Sequence, residues 1–340
     1  HPGRFFPLRF LTTMTATLRH AFLVSALALG CAATVQAQSA WPQAKPIRLI
    51  VPFTAGGSTD GIARLVAQKL GERLGQSVIV DNVGGGGGTI GTYRAAQAEP
   101  DGYTLLLGVD SPAAIAQYVN PQSVKYDTAR DLVAIGLIAT QPMVIMGRPG
   151  LPADSFAKVL EMAKAQPDTL TYATSGIGTV LHLAMEIIQQ QAQVRLRHVP
   201  YRGGAQATTD LLGNQVDLAI LASGSAVPLV AAKKVKGLAV TTAQRLPTLP
   251  DVPAIGELPA LKGMAMTAWI GLFAPARTPA TVVARLNQEL NQVLQQPEVK
   301  AKFAEQSVAP GTGNAAQFGD FVKKEQARYQ RIVKDANIKE

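Results

Sequence analysis

The chain has 340 residues, 47% apolar and 16% charged, with one cysteine and a formal net charge of +9. This composition excludes a disordered or fibrous protein and is long enough for two domains of ordinary size. The positive charges are dispersed and not interleaved with aromatics, which argues against nucleic acid, while a mild positive field suits small anions.

The first 37 residues are set apart. From Met14 the sequence reads MTATLRHAFLVSALALGCAATVQAQSA. Arg19 and His20 precede an apolar stretch, 21–33, and Val35 and Ala37 stand at −3 and −1 of a cleavage site, the pattern of a secretory signal peptide. The stretch is short for a membrane span, and no other segment approaches 18 apolar residues. Residues 1–13 read as sequence upstream of a start at Met14, so 1–37 is expected to be upstream segment plus leader, cleaved near Ala37. The only cysteine, Cys31, lies in the leader. The order Ala28-Leu29-Gly30-Cys31 loosely matches a lipoprotein box, but without Leu at −3 the plain leader is favoured, and lipidation stays open. The chain after Ala37 then has no disulfide, thiol nucleophile or cysteine metal site. Without Arg4, Arg9 and Arg19 it carries 29 basic and 23 acidic residues, a balance of +6.

Strand, glycine turn and helix then repeat. IRLIVPF (47–53) is a continuous apolar run, as expected of a strand covered on both faces. After TAGGSTD, the residues Ile62, Leu65, Val66, Lys69, Leu70 and Leu74 recur at helical spacing until Gly75. SVIVDN (77–82) and YTLLLGV (103–109) are the next strands. DLVAIGLIATQPMVIMGRP (131–149) is apolar and long enough to leave one lobe and enter another. The second half repeats the grammar: strands at 170–174, 194–201 and 216–222, with helices at 179–191 and 205–213. Strands at 235–242 and 269–275 follow, and 263–275 could carry the chain back. Thr278 can cap, and Pro279 suits the first turn of, a helix to about Gln296; another runs from about Ala315 to Asp335. Alternating strands and helices predict an α/β protein with mainly parallel sheets.

One segment invites a different reading. In VDNVGGGGGTIGT, Gly86, Gly88 and Gly91 spell the dinucleotide-binding pattern, and Asp110 lies 19 residues beyond Gly91. That fingerprint belongs in the first strand-to-helix turn of its unit, whereas these glycines follow the second strand. The segment before Pro100 has room for only about two helical turns. An NAD(P)-dependent oxidoreductase is therefore the weaker alternative.

The blocks RLIVPFTAGGSTDGIARLVAQKLGERLGQSVIVDNVGGGGGTIGTYRAAQAEPDGYTLLLG, YATSGIGTVLHLAMEII, VPYRGGAQATTDLLGNQVDLAI and WIGLFAPARTPATVVARLNQEL occur in order over about 44–338. Together they resemble the Bug-type substrate-binding components of tripartite tricarboxylate transporters. The resemblance implies a two-lobed periplasmic-binding-protein fold (type II-like), each lobe a mainly parallel sheet flanked by helices with the ligand cleft between them. It places 38–139 and 265–340 in lobe 1 and 140–264 in lobe 2. It further implies a periplasmic, monomeric receptor for a carboxylate-bearing ligand held largely by backbone N–H groups, with membrane permease subunits as partners.

The residues themselves point the same way. Four glycine turns, TAGGST, GGGGGT, SGIGT and RGGA, each lie between a strand and a helix. Glycine lets the backbone approach a ligand closely, and the first N–H groups of a helix favour anions. The expected ligand-binding set is Phe53, Thr54, Ala55, Gly56, Gly57, Ser58, Asp60, Gly87, Ser111, Ser175, Gly178, Thr179, His182, Tyr201, Arg202 and Gly203. Within it, Ser58 and Asp60 could equally cap, and Asp60, which would repel a carboxylate, is expected to brace its loop. His182 could be structural, and Arg202 could pair with a carboxylate or be a solvated charge. Asp110 could border the cleft; Trp269 reads as core or hinge packing.

No metal spacing, P-loop, G-x-S-x-G or convincing Ser-His-Asp set exists, so neither an enzyme, a metal nor a cofactor is expected. The reading is a receptor that captures a small organic anion and presents it to a permease; a stand-alone sensory receptor is the alternative.

Overall fold

The computed structural model describes Gly3 and residues 41–338; the expected leader, Cys31 and the cleavage site near Ala37 lie outside the described residues. Residues 41–338 form one compact unit. The opening strand β1 (Ile47–Val51) is buried along almost its whole length, as its unbroken apolar run requires. It leads into α1 (Ser58–Leu74), whose buried Ile62, Ala63, Val66, Ala67, Leu70 and Leu74 follow helical spacing. Gly75 ends α1 at φ 65°, its N–H returning to the Gly71 carbonyl. Gly75→Ala should therefore lower stability by about 1 kcal/mol, read as a shift of the urea midpoint.

β2 (Val78–Asn82), the short α2 (Thr89–Ala96) and β3 (Thr104–Val109) follow. β1 pairs in parallel with both β2 and β3. A π-turn, Ser111–Ile115, leads off β3. β4 (Leu132–Gly147) is a single strand of 16 residues. The second half brings α3 (Phe156–Ala165), β5 (Thr171–Thr174), α4 (Val180–Ala192), β6 (Arg197–Pro200), α5 (Gly204–Leu212), β7 (Leu218–Ala222), α6 (Ser223–Ala231) and β8 (Lys236–Val240). β9 (Thr267–Pro275) returns, followed by α7 (Ala280–Gln295), α8 (Pro297–Ala304), the short β10 (Ala309–Pro310) and α9 (Ala315–Asp335).

β4 belongs to two sheets. Its first part pairs with β9 from Leu132↔Pro275 to Pro142↔Thr267, completing a sheet in the order β2-β1-β3-β9-β4. From Met143 onward it pairs with β7 and β8 in the second sheet, where β5 joins β6 and β7 in parallel. Parallel pairing thus holds for β1–β3 and β5–β7. By contrast β4, β8, β9 and β10 run antiparallel to their neighbours, so the sheets are mixed and not mainly parallel. The cause is topological: one strand carries the chain out of the first sheet and its neighbour brings it back.

Trp269 of β9 sits in an aromatic cluster with Phe273, Phe318 and Phe321, at 5.6–6.5 Å between ring centroids. Gly271 permits this packing, since a Cβ there would lie 2.0 Å from Phe318 Cζ. α7 begins without the expected cap: Thr278 donates its hydroxyl to the Pro275 carbonyl at 2.7 Å, and Pro279 stands at the cap position itself. The sequence reading passed over α3, α6 and α8; α6 is disguised by Gly224 and Pro228. No helix among the described residues is long and apolar enough to cross a membrane.

Candidate functional site

Four helices start just beyond the carboxyl ends of parallel strands. α1 follows β1, α4 follows β5, α5 follows β6 and α6 follows β7. Their first turns meet at one cavity of about 60 Å³, with Ser58 and Thr59, Val180 and Leu181, Gly204, and Ser225 in its wall. Among the described residues, α1, α5 and α6 begin without a side-chain cap, and residues of their first turns line the cavity at the positive ends of the helix dipoles. α4 differs. The Thr179 hydroxyl accepts from His182 N–H at 3.3 Å, and Val180 N–H is taken by Ser111 Oγ at 3.0 Å.

The loops around this cavity are in direct contact. A Cβ on Gly57 would lie 3.6 Å from Gly204 N, and one on Gly203 only 2.3 Å from Thr54 Oγ1. A Cβ on Gly87 would lie 2.4 Å from the Ile177 carbonyl oxygen. The glycine run therefore forms a seam with the turn before α4, and none of Gly84–Gly88 lines the cavity. Ser58 donates to Gln141 Oε1 at 2.8 Å across the same region. Buried in the wall, Thr54 Oγ1 and Trp269 Nε1 have no hydrogen-bond partner among the described residues.

Of the expected ligand-binding residues, Phe53, Thr54, Gly57, Ser58, Ser111 and Ser175 line the cavity. Ala55 and Gly56 lie in the exposed part of the first turn. Asp60 is 5% exposed and turned to bracing: its carboxylate accepts from Gly56 N–H at 2.9 Å, Arg64 at 3.0 Å and Asn82 at 2.9 Å. Burial pushes its carboxyl up, but those hydrogen bonds outweigh it and hold the group below the usual carboxylate range. Gly87, Gly178, Tyr201 and Arg202 line a separate surface pocket beside the seam. Tyr201 donates its hydroxyl to Asp210 at 2.5 Å. Thr179 is a cap, and Gly203 touches Thr54.

His182 takes its structural role. Its Nδ1 accepts from Gly178 N–H at 3.3 Å, and its ring stacks on His198 at 4.4 Å. His198 stacks in turn on Tyr172 at 4.8 Å and hydrogen-bonds the Thr174 hydroxyl at 2.8 Å. Burial lowers the pKa of His182 even with Glu186 3.7 Å away, and burial together with the neighbouring His182 takes His198 down to about 3. Both rings are neutral at pH 7.

The wall also contains residues the sequence reading did not select, among them Val109, Gln141, Leu181, Leu221, Ser225 and Ile270. The turn ASGSA after β7 has the same small-residue grammar as the four glycine turns and could have marked α6 as a fourth helix facing the cavity. Asp110 and Trp269 also line it, so Trp269 is both core and wall. Burial pushes Asp110 up to about 7, against hydrogen bonds from Trp269 N–H at 3.0 Å and Ser111 N–H at 2.7 Å.

Residues 62–338 match TctC, the tripartite tricarboxylate transporter family receptor. The chain belongs to this family. It is 34% identical over 311 residues to Protein BugT of Bordetella pertussis, covering 91% of this chain and 94% of the relative. Among solved structures, the periplasmic binding protein BugD superposes with a TM-score of 0.83 at 34% identity, over 87% of this chain and 99% of BugD. A protein of R. palustris solved with adipate gives a TM-score of 0.83 at 34% identity, over 87% of this chain and 98% of its own. The fold is thus the two-lobed periplasmic-binding-protein fold, and the TctC family is one of solute-binding receptors, not a class of enzyme.

Proposed function

We propose that this TctC receptor binds a small carboxylate-bearing organic anion in the 60 Å³ cavity and delivers it to the membrane subunits of a tripartite transporter. It would act in the periplasm, after removal of the leader near Ala37. The observation that carries this reading is the convergence of four helix N-termini, three of them without a side-chain cap, on one cavity. The R. palustris relative solved with adipate supports the ligand class. We assign 38–139 and 265–340 to one lobe and 140–264 to the other; the change of pairing partner in β4 between Pro142 and Met143 supports that division. Phe53, Thr54, Gly57, Ser58, Ser111 and Ser175 are the ligand contacts retained from the sequence. Binding needs no cofactor, because the donors are the chain's own N–H and hydroxyl groups.

A thermal-shift screen tests the reading. Carboxylic acids at millimolar concentration should raise the melting temperature by several degrees, since a ligand bound only to the native state stabilises it by mass action. Stabilisation by neutral sugars with no response to any carboxylate would remove the proposal.

A further inference from the structure

Resting on the carboxylate reading above, we infer that the receptor takes up a proton together with its ligand, and that this proton resides on Asp110, which donates it in a hydrogen bond to a ligand carboxylate. The cavity wall contains no Lys, Arg or His, and Asp110 is the only ionisable side chain in it. It is 2% exposed. A ligand carboxylate enclosed beside an ionised Asp110 would put two like charges in one small, poorly screened space. A proton between them turns that repulsion into a charge-assisted hydrogen bond.

The bonds around Asp110 leave room for the proton. Oδ1 accepts from Ser111 N–H at 2.7 Å and Ser111 Oγ at 3.1 Å, whereas Oδ2 accepts from Trp269 N–H at 3.0 Å. Each carboxylate oxygen has two acceptor positions, so Oδ2 can carry a proton without displacing a donor. The charges around it do not hold Asp110 ionised. The π-turn Ser111–Ile115, β4 and β9 contain no charged side chain. From α9, Arg328 is paired with Glu325 at 3.0 Å, and burial keeps the Tyr329 hydroxyl neutral. His182 of α4, neutral at pH 7, is engaged with Gly178 and His198, and Arg94 of α2 is exposed. Burial, with a smaller contribution from Glu325, pushes the Asp110 carboxyl up to about 7, so its proton exchanges near neutrality.

Calorimetry of the full protein with succinate, malate and adipate tests this. At pH 8, titrations in two buffers of different ionisation enthalpy should show uptake of about one proton per ligand bound. Wild-type affinity should fall at least fivefold from pH 6.5 to pH 8.5, a range in which these acids stay ionised. Asp110→Asn, which mimics the neutral acid, should take up no proton and hold its affinity within twofold over that range. Should Asp110→Asn fail to fold, Ser111→Ala is read instead. It removes a hydroxyl bond that favours the ionised form, so the pH at which affinity falls should rise by at least half a unit. Binding without proton uptake in the wild type, uptake undiminished in Asp110→Asn, or an unmoved pH midpoint in Ser111→Ala overturns the inference and leaves the carboxylate reading standing. Binding of none of the three acids overturns both.

Discussion

Gly203→Ala should weaken ligand binding by tenfold to a hundredfold while leaving the melting temperature of the unliganded protein almost unchanged. Gly203 is extended, at φ 171°, so alanine meets no backbone strain there. The obstacle is the opposing loop, because the new Cβ would fall 2.3 Å from Thr54 Oγ1 and 3.2 Å from Thr54 N. Overpacking of this kind costs about 1–3 kcal/mol, which is one to two decades of affinity. Separating the loops relieves the clash, so the cost falls on the state in which both loops surround the ligand. Gly61→Ala is the control: Gly61 lies on α1 outside the cavity wall, a Cβ there would meet nothing within 4 Å, and affinity should change less than threefold. Calorimetry with the tightest acid from the screen, beside thermal melts of the unliganded proteins, reads both quantities. Unchanged affinity in Gly203→Ala would show that the loops need not meet for binding.

The second large effect concerns acid. His198 has its pKa depressed from about 6.5 in the unfolded chain to about 3 in the fold, by burial first and by His182 next. Its contribution to stability is therefore fully present above the unfolded value and is lost as the pH falls toward the folded one. Between pH 7 and pH 5 this loss is about 1–2 kcal/mol after discounting for partial exposure. Asp110 acts with the opposite sign: its raised value, about 7, gives stability that is complete below the unfolded carboxylate range and is lost as the pH rises through 7. The two partly cancel in the wild type, so the informative quantity is a difference. His198→Gln should be about 1 kcal/mol less stable than wild type at pH 7, from loss of stacking on Tyr172 and His182. At pH 5 that deficit should vanish or reverse. Urea midpoints at the two pH values measure it, and an equal deficit at both would mean that His198 does not titrate between the folded and unfolded states.

Much of this was legible in the chain. The apolar runs and glycine turns located β1, α1, β3, α4, α5 and α9 to within a few residues, because each is a strongly periodic segment with a clear stop signal. Strand direction was not legible: β4 and β9 read as apolar runs like any other, and their antiparallel pairing is set by a partner more than a hundred residues away. The site was half legible. The turns before α1, α4 and α5 were identified by their glycines, but Leu181, Leu221 and Ile270 look like ordinary core residues until the turns meet. Gly87 stood among the expected ligand contacts, whereas its freedom at positive φ serves close backbone contact with Ile177. Nothing local in a sequence distinguishes a glycine that makes way for a ligand from one that makes way for another loop.

The placement of β9 also sets a timetable. β3 and the first part of β4 are joined in one sheet only through Thr267–Pro275, a segment that begins 120 residues after β4 ends at Gly147. Until it arrives, both strands present unsatisfied edges, the kind of surface on which chains aggregate. A fragment ending before β9 should stick to its neighbours, and the intact chain should fold late and as one cooperative event.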